Sequence, residues 1–239
     1  MKRPVILLTR PEASSRRMAG LLAARFGERI SICISPLMEI RLDPRLPDLD
    51  GIKTLIFTSA NGVAAYVGAK GPNSFVCYTV GDATAQAARD AGLRAISAGG
   101  DAEALIARIL ADDALGPMLH LRGAHARGDI AEKLSAVGCP VSQTIVYTQN
   151  AIPLSDDAKD LLDGDAPVIL PVFSPRSAVL LGTGRVQAPV YVVAMSSAIA
   201  GALRLEVAHC AIATHPDFEN VTAEIGLLLE TMPWQHKFN

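Results

Sequence analysis

The stretch Leu55-Ile56-Phe57-Thr58-Ser59 decides how this chain is read, because the chain repeats it as Val168 through Phe173-Ser174. Each is a short apolar run ending at a hydroxyl. An apolar run of that length, bounded by a polar turn, fits a strand buried on both faces. Working outward, the neighbouring segments repeat as well. Tyr78-Thr79-Val80-Gly81-Asp82-Ala83-Thr84-Ala85 is echoed by Tyr191-Val192-Val193-Ala194-Met195-Ser196-Ser197-Ala198. The acidic helix start Gly100-Asp101-Ala102-Glu103 is echoed by Pro216-Asp217-Phe218-Glu219. Leu119-His120-Leu121-Arg122-Gly123 has its echo at the beginning of the chain, in Leu7-Leu8-Thr9-Arg10-Pro11. The separations, 115, 113, 116 and 112 residues, are nearly constant. Two similar units are therefore expected, one of them assembled from both chain ends. Paired units predict a cleft, and clefts at domain interfaces take ligands.

Composition narrows the class. Of the 239 residues half are apolar and 19% charged, which excludes a disordered chain and gives enough for two small cored domains. Aromatics at 5% argue against a stacking platform for single-stranded nucleic acid. A net charge of −2 gives no general attraction to nucleic acid or to an anionic membrane, so neither partner is expected. No apolar run approaches ~18 residues, and the start lacks a signal-peptide core. Cys33, Cys77, Cys139 and Cys210 lie singly in or beside predicted strands and read as buried reduced thiols, pointing to a cytoplasmic protein. His120, His125, His209, His215 and His236 show no paired spacing, so no metal is expected. Gly182-Thr183-Gly184 lacks the strand–turn–helix context of a dinucleotide fingerprint, and there is no Walker loop or nucleophile elbow.

Periodicity gives the layout. Strands are predicted near 5–9, 30–35, 54–58, 76–80, 94–97, 118–121, 141–145, 167–172, 190–194 and 209–213. Helices are predicted near 11–26, 61–69, 82–91, 101–111, 125–137, 175–181, 196–205 and 218–231. This strand–helix alternation is the signature of parallel α/β sheets. It predicts two five-stranded doubly wound domains: residues 1–35 with 152–239, and residues 43–143. The segments 36–42 and 144–151 alternate in polarity and are predicted to pair as a double connector, a hinge that bends more readily than it separates.

Ligands of open α/β sheets sit beyond the carboxyl ends of the strands. There the sequence puts Thr9-Arg10, Thr58-Ser59, Asp82 with Thr84, Arg122-Gly123, Ser174 with Arg176, and Ser196-Ser197. Hydroxyls at helix starts are most often N-caps. Free N–H groups at several helix starts, with Arg10, Arg122 and Arg176 nearby, nevertheless suit a ligand bearing many carboxylates or phosphates. Tyr147 falls on the predicted connector, where a core role is least needed. A phenol with an ordinary pKa near ~10 is a proton donor at neutral pH.

In this order the residues resemble one family. Leu8-Thr9-Arg10-Pro11, Leu55 through Val63, Val80-Gly81-Asp82-Ala83-Thr84-Ala85, Leu121-Arg122-Gly123, Tyr147 and Phe173-Ser174-Pro175-Arg176-Ser177-Ala178 together resemble uroporphyrinogen-III synthase. The chain departs from the pattern at Ala194-Met195-Ser196-Ser197, where a threonine-bearing turn with glycine is usual. The resemblance implies two flavodoxin-like domains joined by a two-stranded β connector, the first domain built from both chain ends. It implies cyclisation of hydroxymethylbilane to uroporphyrinogen III, with loss of water and inversion of the last ring, using no metal or organic cofactor. The sequence itself gives no sign of an oligomer, so a monomer is expected. It implies Tyr147 as proton donor. Arg10, Thr58, Ser59, Thr84, Arg122, Ser174, Arg176, Ser196 and Ser197, with backbone N–H groups, would hold the substrate carboxylates. Two rival readings share the same polarity pattern: a two-lobed cytosolic sensor of a small polyanion, and a sugar-phosphate enzyme.

Overall fold

The structure is a computed structural model, and it describes residues 3–112, 116–125 and 129–231. The chain opens with β1 (Val5–Leu8), α1 (Glu12–Phe26) and β2 (Ser31–Ile34). β3 (Met38–Leu42) leads into β4 (Thr54–Phe57), α2 (Ala60–Gly68), β5 (Val76–Thr79), α3 (Asp82–Asp90) and β6 (Arg94–Ser97). Then come α4 (Ala102–Ala111), β7 (Met118–Gly123), α5 (Ile130–Ala136) and β8 (Val141–Ala151). The rest is α6 (Asp156–Leu162), β9 (Val168–Val172), α7 (Pro175–Leu180), β10 (Thr183–Gly184), β11 (Val190–Ala194), α8 (Ser197–Ala202), β12 (Arg204–Leu205), β13 (His209–Ile212) and α9 (Phe218–Thr231). By contacts the chain divides into two units, Met1–Glu39 with Ala151–Asn239, and Ile40–Asn150.

The first unit holds a parallel sheet in the order β13-β11-β9-β1-β2. Counted in chain order this is 2-1-3-4-5, the flavodoxin-like arrangement. The inserted unit runs β6-β5-β4-β7-β8, with β3 added beyond β8. Matched by their echoes, β4, β5, β6, β7 and β8 correspond to β9, β11, β13, β1 and β2. The two sheets then have the same spatial order. Only the point at which the chain enters differs.

Alternation along the buried strands fills both faces of each sheet. Ile6 and Leu8 pack with Met18 and Leu22 of α1 and Ile225 of α9, whereas Leu7 packs on the other face with Leu162 of α6 and Ile199 of α8. In the inserted unit Leu55 and Phe57 pack under α2, and Ile56 meets Leu105 and Ile109 of α4. Each such side chain contributes about 1.5–3 kcal/mol by leaving water.

Several elements differ from the sequence-based expectation. The fifth strand of the inserted unit and the second connector are one continuous strand, β8. Hydrogen bonds from Asp43 N to Val146 O (2.8 Å) and from Ile152 N to Leu37 O (3.0 Å) show that β3 and β8 run antiparallel. The helix expected from 196 to 205 stops at Ala202. The Arg204 guanidinium bonds the carbonyls of Gly201 and Leu203, and Arg204-Leu205 turns to pair with Thr183-Gly184. The helix expected from 125 begins at Ile130, and residues 126–128 of that expectation lie outside the described ones. Cys77 and Cys139 are buried, but Cys210 on the edge strand β13 is exposed.

Candidate active site

Where strand order reverses in an open parallel sheet, the two adjacent helices leave on opposite faces and a crevice opens at the strand ends. In the first unit that point lies between β1 and β9. Arg10 follows β1 and Phe173 follows β9, and the guanidinium carbon lies 4.5 Å from the centroid of the Phe173 ring. The contact is a cation–π pair. Burial, and secondarily the charge of Arg17, lower the Arg10 pKa from its ordinary value. Among the described residues no carboxylate pairs with this guanidinium.

The inserted unit has its switch point between β4 and β7. Here Thr58 closes β4, and its Oγ1 lies 3.4 Å from Nε2 of His120 on β7. Two residues further on, Arg122 donates from Nε to Gln143 Oε1 (2.8 Å) and from Nη1 to the Gly123 carbonyl (3.0 Å). The two strand ends of each unit thus carry an arginine from one strand, Arg10 or Arg122, beside the last residues of the other.

The turns that follow the strands share one backbone. Ser59, Ser174 and Ser196 all sit extended at helix starts, with φ of −156°, −151° and −159°. Ser59 Oγ accepts from Asn61 N at 3.2 Å, and Ser174 Oγ accepts from Ser177 N at 3.0 Å. Both are N-caps, as is Asp101, which accepts from Glu103 and Ala104. Its echo Asp217 accepts from Asn220 N at the start of α9. Ser196 has the same geometry but makes no capping bond, and Ser197 is exposed at the first position of α8. Thr84 lies inside the first turn of α3 and is 9% exposed. Arg176 is half-buried in α7. α7 and α8 have six residues each, so their end dipoles are short, and hydroxyls and N–H groups carry what binding they offer.

Tyr147 is placed by a register shift. β7 and β8 pair in step through Arg122↔Ile145, then jump to Gly123↔Tyr147. The phenol ring thereby covers the Gly123 α-carbon: a Cβ there would stand 2.5 Å from the ring and 2.8 Å from the hydroxyl oxygen. Gly123 is required for this close approach. The ring is 6% exposed and packs with Leu55, Phe57 and Leu121. The connector position therefore does serve the core, contrary to expectation, because the shift turns the ring inward. Tyr147 also lines an open groove of about 280 Å³ with Arg41, Asp43, Arg45 and Thr148. Arg45 and Asp43 pair through two 3.1 Å contacts, which hold the Asp43 carboxyl below its usual range. Gly123→Ala should cost about 1–3 kcal/mol by overpacking. A shifted urea midpoint checks this, and an unshifted one contradicts the packing described.

His120, Arg41 and Arg45 are not among the site residues that motif and spacing single out. His120 lacks metal-ligand spacing. The available signal was a lone imidazole alternating with Leu119 and Leu121 in an otherwise apolar strand.

A family model described as uroporphyrinogen-III synthase HemD matches residues 17–223. The chain belongs to this family. It is thereby a cyclising lyase that converts hydroxymethylbilane to uroporphyrinogen III in tetrapyrrole synthesis. Among solved structures, uroporphyrinogen-III synthetase from Helicobacter pylori is similar at 16% identity and a TM-score of 0.66, over 95% of this chain and 100% of that one. A mutant synthase from Thermus thermophilus aligns over 95% of this chain and 98% of its own, at 12% identity and a TM-score of 0.48. The Helicobacter structure shares the fold. No curated protein matches the chain. Membership of the family makes the substrate a linear tetrapyrrole with an acetate and a propionate on each ring. No described helix is long and apolar enough to cross a membrane.

Proposed function

We propose that Tyr147 is the proton donor of this synthase and that the strand ends of each unit hold the substrate carboxylates. The phenol protonates the departing hydroxyl of the hydroxymethyl group. The C–O bond breaks, water leaves, and an azafulvene cation remains. The substituted carbon of the terminal ring attacks it to give a spiro intermediate, which fragments and recombines with that ring inverted. The proton lost when the closed ring regains its aromatic system returns to the phenolate, so the cycle balances. The linear chain also closes unaided without inversion. Holding its ends and excluding water are therefore the larger part of the task.

Arg10, Thr58, Ser59, Thr84, Arg122, Ser174, Arg176, Ser196 and Ser197 are the proposed carboxylate contacts, together with helix-start N–H groups. Arg10 carries this reading. Its guanidinium is held over Phe173 at a switch point, is partly desolvated, and has no carboxylate of the described residues beside it. A charge-assisted hydrogen bond to substrate contributes about 1.5–3 kcal/mol. Arg10→Gln should therefore raise KM about 10–100-fold, with kcat little changed and the fold intact. An unchanged KM removes Arg10 from the binding set.

We propose further that the enzyme acts as a cytoplasmic monomer with no nucleic-acid partner. Its charge balance and unpaired thiols support this reading.

A further inference from the structure

His120 is 1% exposed, and its Nδ1 is buried with no hydrogen-bond partner among the described residues. Leaving a polar atom so is costly, and an apolar side chain avoids the cost. The echo shows that packing does not require an imidazole here. The matching place in β1 of the first unit is Leu8, also 1% exposed. His120 must therefore do something that leucine cannot.

Among the described residues the ring's one hydrogen-bond contact is with Thr58. β4 and β7 pair with Ile56 opposite His120, which brings the Thr58 hydroxyl to 3.4 Å from Nε2. A neutral imidazole carries one donor and one acceptor nitrogen. The proton belongs on the nitrogen with an acceptor in reach, Nε2, and Nδ1 keeps a bare lone pair. Thr58 Oγ1 then accepts from the ring, and its own hydrogen is left to donate elsewhere. The contact is long, as polar contacts of unloaded sites often are before they tighten around substrate.

We propose that His120 is a positioning residue that fixes the Thr58 hydroxyl as a hydrogen-bond donor to a substrate carboxylate at the switch point of the inserted unit. This rests on the reading of Thr58 as a substrate contact. It also explains why the imidazole occurs in one unit only: the echo of Thr58 is Phe173, which has no hydroxyl to orient.

Steady-state kinetics on Thr58→Val, His120→Leu, the double variant and His120→Gln test it. Thr58→Val and His120→Leu should each raise KM about tenfold with kcat little changed. The double variant should be no worse than Thr58→Val alone, because the two side chains act as one unit. His120→Gln sets an amide N–H near the place of Nε2–H and should bring KM back toward wild type. A normal KM for Thr58→Val overturns the reading of Thr58 and the proposal with it. If Thr58→Val raises KM but the His120→Leu effect multiplies with it, or Gln fails to rescue, Thr58 remains a contact and the positioning role is overturned. Should His120→Leu not fold, Gln against Asn decides the same question, since asparagine is too short to reach Thr58.

Discussion

Replacing Tyr147 by phenylalanine should lower kcat about 10²–10⁴-fold, the range general acid catalysis supplies. The fold should survive. The ring, which phenylalanine keeps, covers Gly123 and packs on Leu55, Phe57 and Leu121. Urea unfolding of the variant should therefore match wild type while turnover collapses. Loss of a proton donor also predicts that the remaining product shifts toward the non-inverted isomer, because spontaneous closure then competes. An unchanged rate would remove Tyr147 from the chemistry. A fall in both rate and stability would make it a packing residue.

The second large effect is on stability, and His120 sets it. Burial, and secondarily the Arg122 charge, lower its pKa from 6.5 to about 4. Between those values the unfolded chain binds a proton that the folded chain refuses. Stability is therefore full above about pH 6.5 and falls as the pH drops toward 4. A displacement of that size corresponds to about 3 kcal/mol. Asp43, Asp112, Asp156 and Asp217, whose pKa values are lowered, also lose stabilising contacts in acid, but they do so in any His120 variant as well. The difference in unfolding free energy between wild type and His120→Leu should therefore fall by about 3 kcal/mol from pH 7 to pH 4, as denaturant titrations at each pH would show. Parallel curves would mean that the imidazole is not desolvated as described.

Much of the architecture was legible because repetition is a strong signal. Leu55 to Ser59 and its echo place β4 and β9 at the centres of their sheets, and the displaced echo of Leu119 to Gly123 marks where the chain enters each. The caps were legible too, since Asp101 and Asp217 each bond the N–H groups of the turn that follows. The pairing of 36–42 with 144–151 was legible from their alternating polarity, but register was not. Nothing local announces the register jump at Gly123 that turns the Tyr147 ring inward. The early stop at Ala202 comes from Arg204 capping Gly201 and from strand pairing with Thr183-Gly184. His120 was hidden because its role depends on Thr58, a residue of another strand. Arg41 and Arg45 gain meaning only through the groove they share with Tyr147.

As a uroporphyrinogen-III synthase, this chain closes a linear tetrapyrrole with its last ring inverted. Incubation with freshly prepared hydroxymethylbilane, followed by oxidation and separation of the porphyrin isomers, tests it directly. The type III isomer is expected, formed faster than the spontaneous product. Type I alone, at the rate of the protein-free control, would contradict it.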